Sequence, residues 1–439
     1  MPSRCYNSGN GKQITQSSLW QLFCLILMVL IAIGFFNVYS STFYMNLDNG
    51  VNPYSHLLRH AGYFLVGFLI FCVLWQMPFR QVPKVSSLLI GLTAALLVLI
   101  FAGFGRTVNG ATRWIYVGIS IQPSEIAKVA AILWTAPRLA GLLKKGVPIT
   151  LLQALLWNVG RRFLPLKADA LPAAVNLAEL YRPLLIPLLF AFLVILQPDM
   201  GTAVLILGFP ILLYMLCGVP RFDMILTLVL AVFGFLMLAL MEPYRWERVK
   251  VLWDPFSYSA DAGYQTVQSL IAVGSGGFFG QGAGEGLSKF LYLPEQHTDF
   301  AFAILAQEGG FLLAGTVIVL FAALFFVGFL MASRIPRLYP ALLVYGLTML
   351  IALEGFLNMA MVIGSFPVTG VPLPFISFGG SSLVMNMAAV GLIGCAVRYG
   401  IQMERKDEEA RKREALTGEP VSLSRLSGTV FRPMDRGMR

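Results

Sequence analysis

Residues 293–331 read LPEQHTDFAFAILAQEGGFLLAGTVIVLFAALFFVGFLM, and they decide what kind of molecule this is. A polar stretch ends at Asp299, and from Phe300 to Met331 the one charged residue is Glu308. A helix needs roughly 20 apolar residues to cross the hydrocarbon core of a bilayer, and this run exceeds that length. Working outward, runs of the same kind recur. Ten candidate spans fall at about 18–38, 60–78, 84–104, 122–142, 183–198, 200–218, 222–241, 300–331, 338–361 and 378–399. Composition agrees, with 57% hydrophobic residues, 12% charged residues and a mean hydropathy of +0.74. A soluble domain so apolar would have to expose much of that surface to water. The expected fold is an all-α polytopic membrane protein of about ten transmembrane helices, with one long extracytoplasmic loop between spans seven and eight.

The organisation follows from composition. Residues 1–17 form a polar tail, 18–400 the membrane domain, and 401–439 a charged tail low in hydrophobics, expected to be disordered. Within the domain, 143–182 is an amphipathic insertion carrying Trp157, Arg161, Arg162 and Phe163, expected at the cytoplasmic interface. The first span has no small-residue cleavage site before or after it and is expected to be a retained anchor. Of the 32 lysines and arginines, only Arg59, Arg106, Arg113, Arg245, Arg248, Lys250 and Lys289 fall in the connections on one face. Lys128 lies inside a span and all the others fall opposite. By the positive-inside rule both termini are cytoplasmic and the sparse face is outside. The net charge of +10 suits an anionic membrane surface; no basic cluster is interleaved with aromatics, so nucleic acid is not an expected partner. Cys5, Cys24, Cys72, Cys217 and Cys395 show neither pairing nor metal-ligand spacing and read as packing residues.

The unusual residues all gather on the outer face. Asp299 stands where the 242–299 loop enters the eighth span, and a carboxylate there is costly to dehydrate. Two readings compete: a functional carboxylate, or Thr298 or Asp299 capping the first helical turn. Asn109 to Trp114 forms a turn leading to Arg113 and Trp114, an interfacial anchor or part of a site. In the fourth span Pro123 suits the first helical position, and Glu125 and Lys128 at i, i+3 share a face and should pair. The 242–299 loop holds Arg248 and Gln268, then glycines 274, 276, 277, 280, 282, 284 and 286. No Gly-Lys-Ser/Thr closes that run, so it is no phosphate-cradling P-loop; it lets backbone approach a ligand or a bilayer closely. Residues 364–382, with three prolines and Gly379-Gly380-Ser381-Ser382, look re-entrant, a form that survives at membrane depth only beside protein or water. An outward cavity holding Asp299, Glu125, Lys128, Arg248 and Asp199 fits two classes, an enzyme acting on a lipid-linked substrate or a transporter. Ion-coupled transporters show midplane broken helices and repeats. Polar residues clustered at one interface favour the enzyme.

Six motifs in order carry a resemblance: NGATRWI at 109–115, QPSEIAK at 122–128, QPDMGTA at 197–203, AGYQTVQS at 262–269, LPEQHTDFAFAILAQE at 293–308 and PVTGVPLPFISFGGSSL at 367–383. Over about 18–400 the chain resembles the SEDS family (shape, elongation, division and sporulation) of peptidoglycan polymerases. The resemblance implies an inverting glycosyltransferase of the bacterial cytoplasmic membrane that builds strands from lipid II, an undecaprenyl-diphosphate-linked saccharide. It implies Asp299 as the catalytic residue. Arg248, Glu125, Lys128, Arg113, Asp199, His297, Gln268 and Ser381 are the expected substrate-site residues, His297 tuning or positioning Asp299. A departing diphosphate needs cationic partners, for which Arg248, Lys128 or a divalent cation (Mg or Mn) would serve; no organic cofactor is expected. The implied partners are a class B penicillin-binding protein, a transpeptidase, and other divisome or elongasome membrane proteins. Gln307 stands where the family usually has a glutamate beside Glu308. The 280–294 stretch leans to the division type and Val371–Pro374 to the elongation type, with the balance on division. A lipid II flippase is the alternative function.

Overall fold

The computed structural model describes residues 15–108, 111–145, 177–218, 221–240, 243–260, 263–286 and 293–417. Most of the 143–182 insertion and of both tails lies outside them. Ten apolar helices occupy the ten expected spans: α1 (Gln16–Asp48), α2 (Ser55–Gln76), α3 (Val82–Leu99), α4 (Pro123–Lys144), α5 (Leu185–Ile195), α6 (Met200–Leu216), α7 (Arg221–Leu240), then, after two helices of the 242–299 loop, α10 (Ala301–Ser333), α11 (Leu338–Val362) and α12 (Gly380–Thr417). Among the described residues seven are long and apolar enough to cross a membrane, α3 as part of the helical run Phe79–Phe104; α5, α6 and the apolar part of α7 (Phe222–Gly234) are shorter. The loop helices are α8 (Pro243–Trp253) and α9 (Tyr264–Ser275). Local chemistry sets the starts. Thr15 accepts the Ser18 N–H (3.1 Å) at α1, Pro83 and Pro123 open α3 and α4, and Asp199 accepts the Thr202 N–H (3.3 Å) at α6.

Burial sorts the helices into centre and rim. The apolar window of α11 is 83% buried and that of α2 only 11%. The centre is α4, α11 and α12, with α2 packed along α12, and α1 and α10 closing one side. A rim helix that is apolar all round matches a hydrocarbon solvent, which exerts no preference for hiding leucine.

Three features depart from expectation. A small antiparallel sheet interrupts the all-α architecture between α3 and α4: β1 (Gly105–Val108), β2 (Ala111–Val117) and β3 (Ile119–Ile121), in the order β1-β2-β3. Its β-branched residues sit outside the apolar spans, in the connection between α3 and α4, and favour extended backbone that pairs across the strands. Second, α12 does not stop at residue 400 but runs on to Thr417, so the first part of the tail expected to be disordered is helical. Propagating an existing helix avoids the nucleation penalty, and acids precede bases by four residues, as at Glu408 and Lys412.

The third departure explains the glycine run. Helix α10 is broken at Gly310 (φ 64°, ψ −167°), a conformation available to glycine alone. The 276–282 segment is stitched into the break. Gln281 N–H donates to the Gln307 carbonyl (3.0 Å) and Gly282 N–H to that of Glu308 (3.1 Å). In return Phe311 N–H donates to the Gly277 carbonyl (2.9 Å) and Leu312 N–H to that of Phe278 (3.2 Å). A Cβ on Gly280 would lie 2.0 Å from the Glu308 carbonyl oxygen. The close approach that Gly276, Gly280 and Gly286 permit is to α10 itself.

Candidate active site

Asp299 is presented by a turn, not by a helix cap. Glu295 adopts a left-handed conformation (φ 53°), and its carbonyl accepts from Thr298 N–H (3.1 Å) and Phe300 N–H (3.2 Å), while the Thr298 hydroxyl donates to the Glu295 carboxylate (2.7 Å). The N-cap position of α10 is Phe300, with no side-chain cap. The capping reading of Thr298 and Asp299 is thereby removed: Thr298 closes the turn and the Asp299 carboxylate is left for other work. That carboxylate is half-buried, and one of its oxygens lies 3.3 Å from where a Cβ on Gly370 would stand. Any larger residue at 370 would crowd it.

Several elements bring charge to this point. Arg248 on α8 donates to the Val368 carbonyl (2.5 Å), which fixes its guanidinium over the 363–379 segment. Arg113 on β2 donates to the Pro198 carbonyl and lies 3.7 Å from the carboxylate of Asp199, the residue that caps α6. Loss of water pushes the Asp299 carboxyl up to about 7. Glu295 and Asp199 add to the rise and Arg248 and Arg113 oppose it. A carboxylate poised near neutrality beside two guanidinium groups is what proton abstraction next to an anionic substrate requires.

The 363–379 segment is irregular backbone within the fold, with Val371, Leu373, Phe375 and Ile376 buried, and it answers the expectation of a re-entrant loop packed on protein. The Ser377 hydroxyl accepts the Leu373 N–H (2.9 Å), and Asn358 on α11 donates to the carbonyls of Asp299 and Val371 (both 2.7 Å).

The other expected site residues are placed as follows. Glu125 and Lys128 do pair (2.9 Å), but Lys128 also pairs with Glu354 on α11 (2.5 Å), and the three are at most 5% exposed. The ammonium group is a fixed tie between α4 and α11. His297 packs its ring against His56 (centroids 5.6 Å apart) and Phe378 (5.8 Å), and its carbonyl accepts the Phe378 N–H (2.8 Å). Burial lowers its pKa, so it sits as a neutral ring that positions the turn. The Ser381 hydroxyl accepts the Gln122 N–H (3.0 Å) and donates to the Ser120 carbonyl (3.2 Å), joining α12 to the start of α4. Gln268 is half-buried on α9. Both hydroxyl contacts of Ser40 on α1 go to the Glu308 carboxylate (2.6 and 2.7 Å).

Glu295, Glu354 and Asn358 belong to this region and the sequence reading passed over them. Glu354 and Asn358 carried a signal: polar residues at i, i+4 in an otherwise apolar span. Among the described residues no three His, Cys, Asp or Glu side chains gather as a metal-ligand set.

Similarity to known proteins bears on the whole of this arrangement. A family model described as a cell cycle protein (FtsW, RodA, SpoVE) matches residues 20–400. The chain is 34% identical over 380 residues to the probable peptidoglycan glycosyltransferase FtsW of Coxiella burnetii, covering 85% of this chain and 94% of that one. It is 34% identical over 384 residues to the stage V sporulation protein E of Bacillus subtilis, covering 86% and 96%. Among solved structures it is similar to the rod shape determining protein RodA of Thermus thermophilus (TM-score 0.59, 25% identity, 86% and 95% covered). A chain of a peptidoglycan synthase complex that coordinates polymerization and crosslinking shares the fold (TM-score 0.64, 24% identity, 87% and 98% covered). With the ten-helix bundle, the 242–299 loop and the HTDF turn in the order the motifs imply, the chain belongs to the FtsW, RodA and SpoVE family, the SEDS membrane proteins.

Proposed function

We propose that this protein is a peptidoglycan polymerase that extends glycan strands from lipid II at the outer face of the bacterial cytoplasmic membrane. The observation that carries the reading is Asp299, half-buried, raised toward neutrality and flanked by Arg113 and Arg248. In the transfer an acceptor sugar hydroxyl attacks the anomeric carbon of the donor from the face opposite the diphosphate. The new C–O bond forms as the bond to the diphosphate oxygen breaks. The hydroxyl proton passes to Asp299 and the departing negative charge is met by the arginines. One carboxylate suffices because diphosphate leaves without needing a proton, and a single displacement inverts the anomeric centre. The names of the FtsW relatives support this activity and favour the division type within the family. The partner we expect is a class B penicillin-binding protein, in keeping with the coupled polymerization and crosslinking of the similar complex.

The direct test is fluorescent lipid II supplied to purified protein with and without such a partner. Strands lengthening with time are expected. Lipid II translocation in vesicles with no polymer in the presence of an active partner would replace the polymerase by a flippase. Orientation has its own test. In a cysteine-free background, Glu285→Cys, exposed in the outer loop, is expected to react with an impermeant thiol reagent in intact cells. Labelling only after permeabilisation would invert the topology.

A further inference from the structure

We propose that Asn358 is a positioning residue for Asp299, holding its main chain and the 363–379 segment at a fixed separation, and that the Lys128 cluster acts on the site through it. The inference rests on the polymerase reading. Helix α11 is the most buried of the spanning helices, and it nonetheless carries Glu354 and Asn358, both 0% exposed, one turn apart on one face. Burying a carboxamide and a carboxylate side by side opposes folding unless each is paired, so their partners are informative. The Asn358 amide nitrogen donates to two main-chain carbonyls, of Asp299 and of Val371 (both 2.7 Å). Two carbonyl acceptors require the NH2 end of the side chain there, which fixes its orientation and leaves Oδ1 as a buried acceptor with no partner among the described residues.

Neither carbonyl belongs to a helix or strand, so no backbone N–H stands ready to replace Asn358. The geometry closes on the reacting group. One hand of the amide holds Asp299 itself, and the other holds Val371, next to the Gly370 that the Asp299 carboxylate faces. The distance between base and opposing wall is therefore set by this side chain together with the Phe378 N–H bond to the His297 carbonyl. One turn below, Glu354 takes its charge pair from Lys128, which is also paired to Glu125. That tie fixes the height and rotation of α11 against α4, and with them the point from which Asn358 reaches out. A residue with no exposed surface does not touch substrate; its effect passes through Asp299.

Asn358→Leu keeps the volume and removes both donors, and Asn358→Ser is a smaller polar replacement that cannot span both carbonyls. In lipid II polymerisation by the purified protein with its partner, either folded variant is expected to lose about 100-fold in kcat, the scale of a misplacement near 1 Å, with KM for lipid II unchanged. The acid limb of the pH–rate profile, expected near 7 in the parent, moves to lower pH because a loosened turn lets water reach the carboxylate. A merely structural role would lower the amount of active protein and leave KM and the acid limb where they were. Parent kcat and an unshifted limb in either folded variant overturn the assignment. A parent protein that itself makes no strands overturns the polymerase reading instead, so the two failures are distinguishable.

Discussion

Asp299→Asn protein is expected to fold, to bind its partner and to polymerise lipid II at least about 100-fold more slowly than the parent, the usual scale for losing a general base. The substitution keeps the shape of the side chain and removes its basicity, while Asn358 continues to hold the carbonyl. The parent rate should also depend on pH in a way the variant does not. Asp299 accepts a proton only when ionised, so with its pKa near 7 the parent rate falls about tenfold per unit on the acid side and levels off above. Stability carries the opposite sign. Because the folded-state pKa lies above the ordinary 3.8, the fold favours the protonated form. That contribution is complete below about 4 and is lost as pH rises through about 7. The midpoint of thermal unfolding of Asp299→Asn should match the parent at low pH and exceed it at pH 8. Strand synthesis at the parent rate by Asp299→Asn would remove the carboxylate from the reaction. An unfolding midpoint below the parent's at pH 8 would contradict its dehydrated setting.

The second large effect is on stability. Lys128 lies between Glu125 (2.9 Å) and Glu354 (2.5 Å) at 2% exposure, so Lys128→Ala strands two carboxylates in the bundle. Breaking a buried pair from one side costs about 3–5 kcal/mol, and here two anions lose one cation. Detergent-solubilised Lys128→Ala is expected to unfold at a clearly lower temperature than the parent. Neutralising all three positions with groups of similar shape, Glu125→Gln, Lys128→Met and Glu354→Gln together, is expected to restore most of that loss, since the penalty lies in uncompensated charge. Activity is expected to return with stability. A triple variant as stable as the parent but unable to make strands would mean that the charged tie itself, and not only the packing it secures, is needed to hold Asn358 and through it Asp299. Unchanged stability in Lys128→Ala would show that the cluster is wetter than its burial implies.

The spans were legible because hydrophobic runs of bilayer length leave few alternatives, and each of the ten resolves as a helix. Asp299, Arg248, Arg113 and Asp199 were legible as charges on the face poor in lysine and arginine, and the fold gathers them. What escaped the sequence was pairing across distance. Glu125 and Lys128 are neighbours on one turn and could be matched by spacing, whereas Glu354 is 226 residues from the lysine it binds. The glycines between 274 and 286 announced a close approach without saying to what, because the carbonyls they approach lie in a helix that reads as unbroken. The sheet at 105–121 was masked by its brevity, four, seven and three residues amid strongly apolar surroundings.

The stitched break in α10 bears on how such a chain is made. A helix entering a membrane ordinarily satisfies its backbone from within, so each span can be delivered independently of its neighbours. The segment around Gly310 cannot, because the partners of Gln307, Glu308, Phe311 and Leu312 are backbone groups of residues 277–282. Those partners are synthesised earlier and must already be in place when the eighth span arrives. Insertion of this span is thus completed only against a loop that has already formed, which makes maturation of the molecule sequential from its seventh span to its eighth. A lengthened or charged 276–286 segment would be felt first as failed biogenesis, before any step of catalysis is reached.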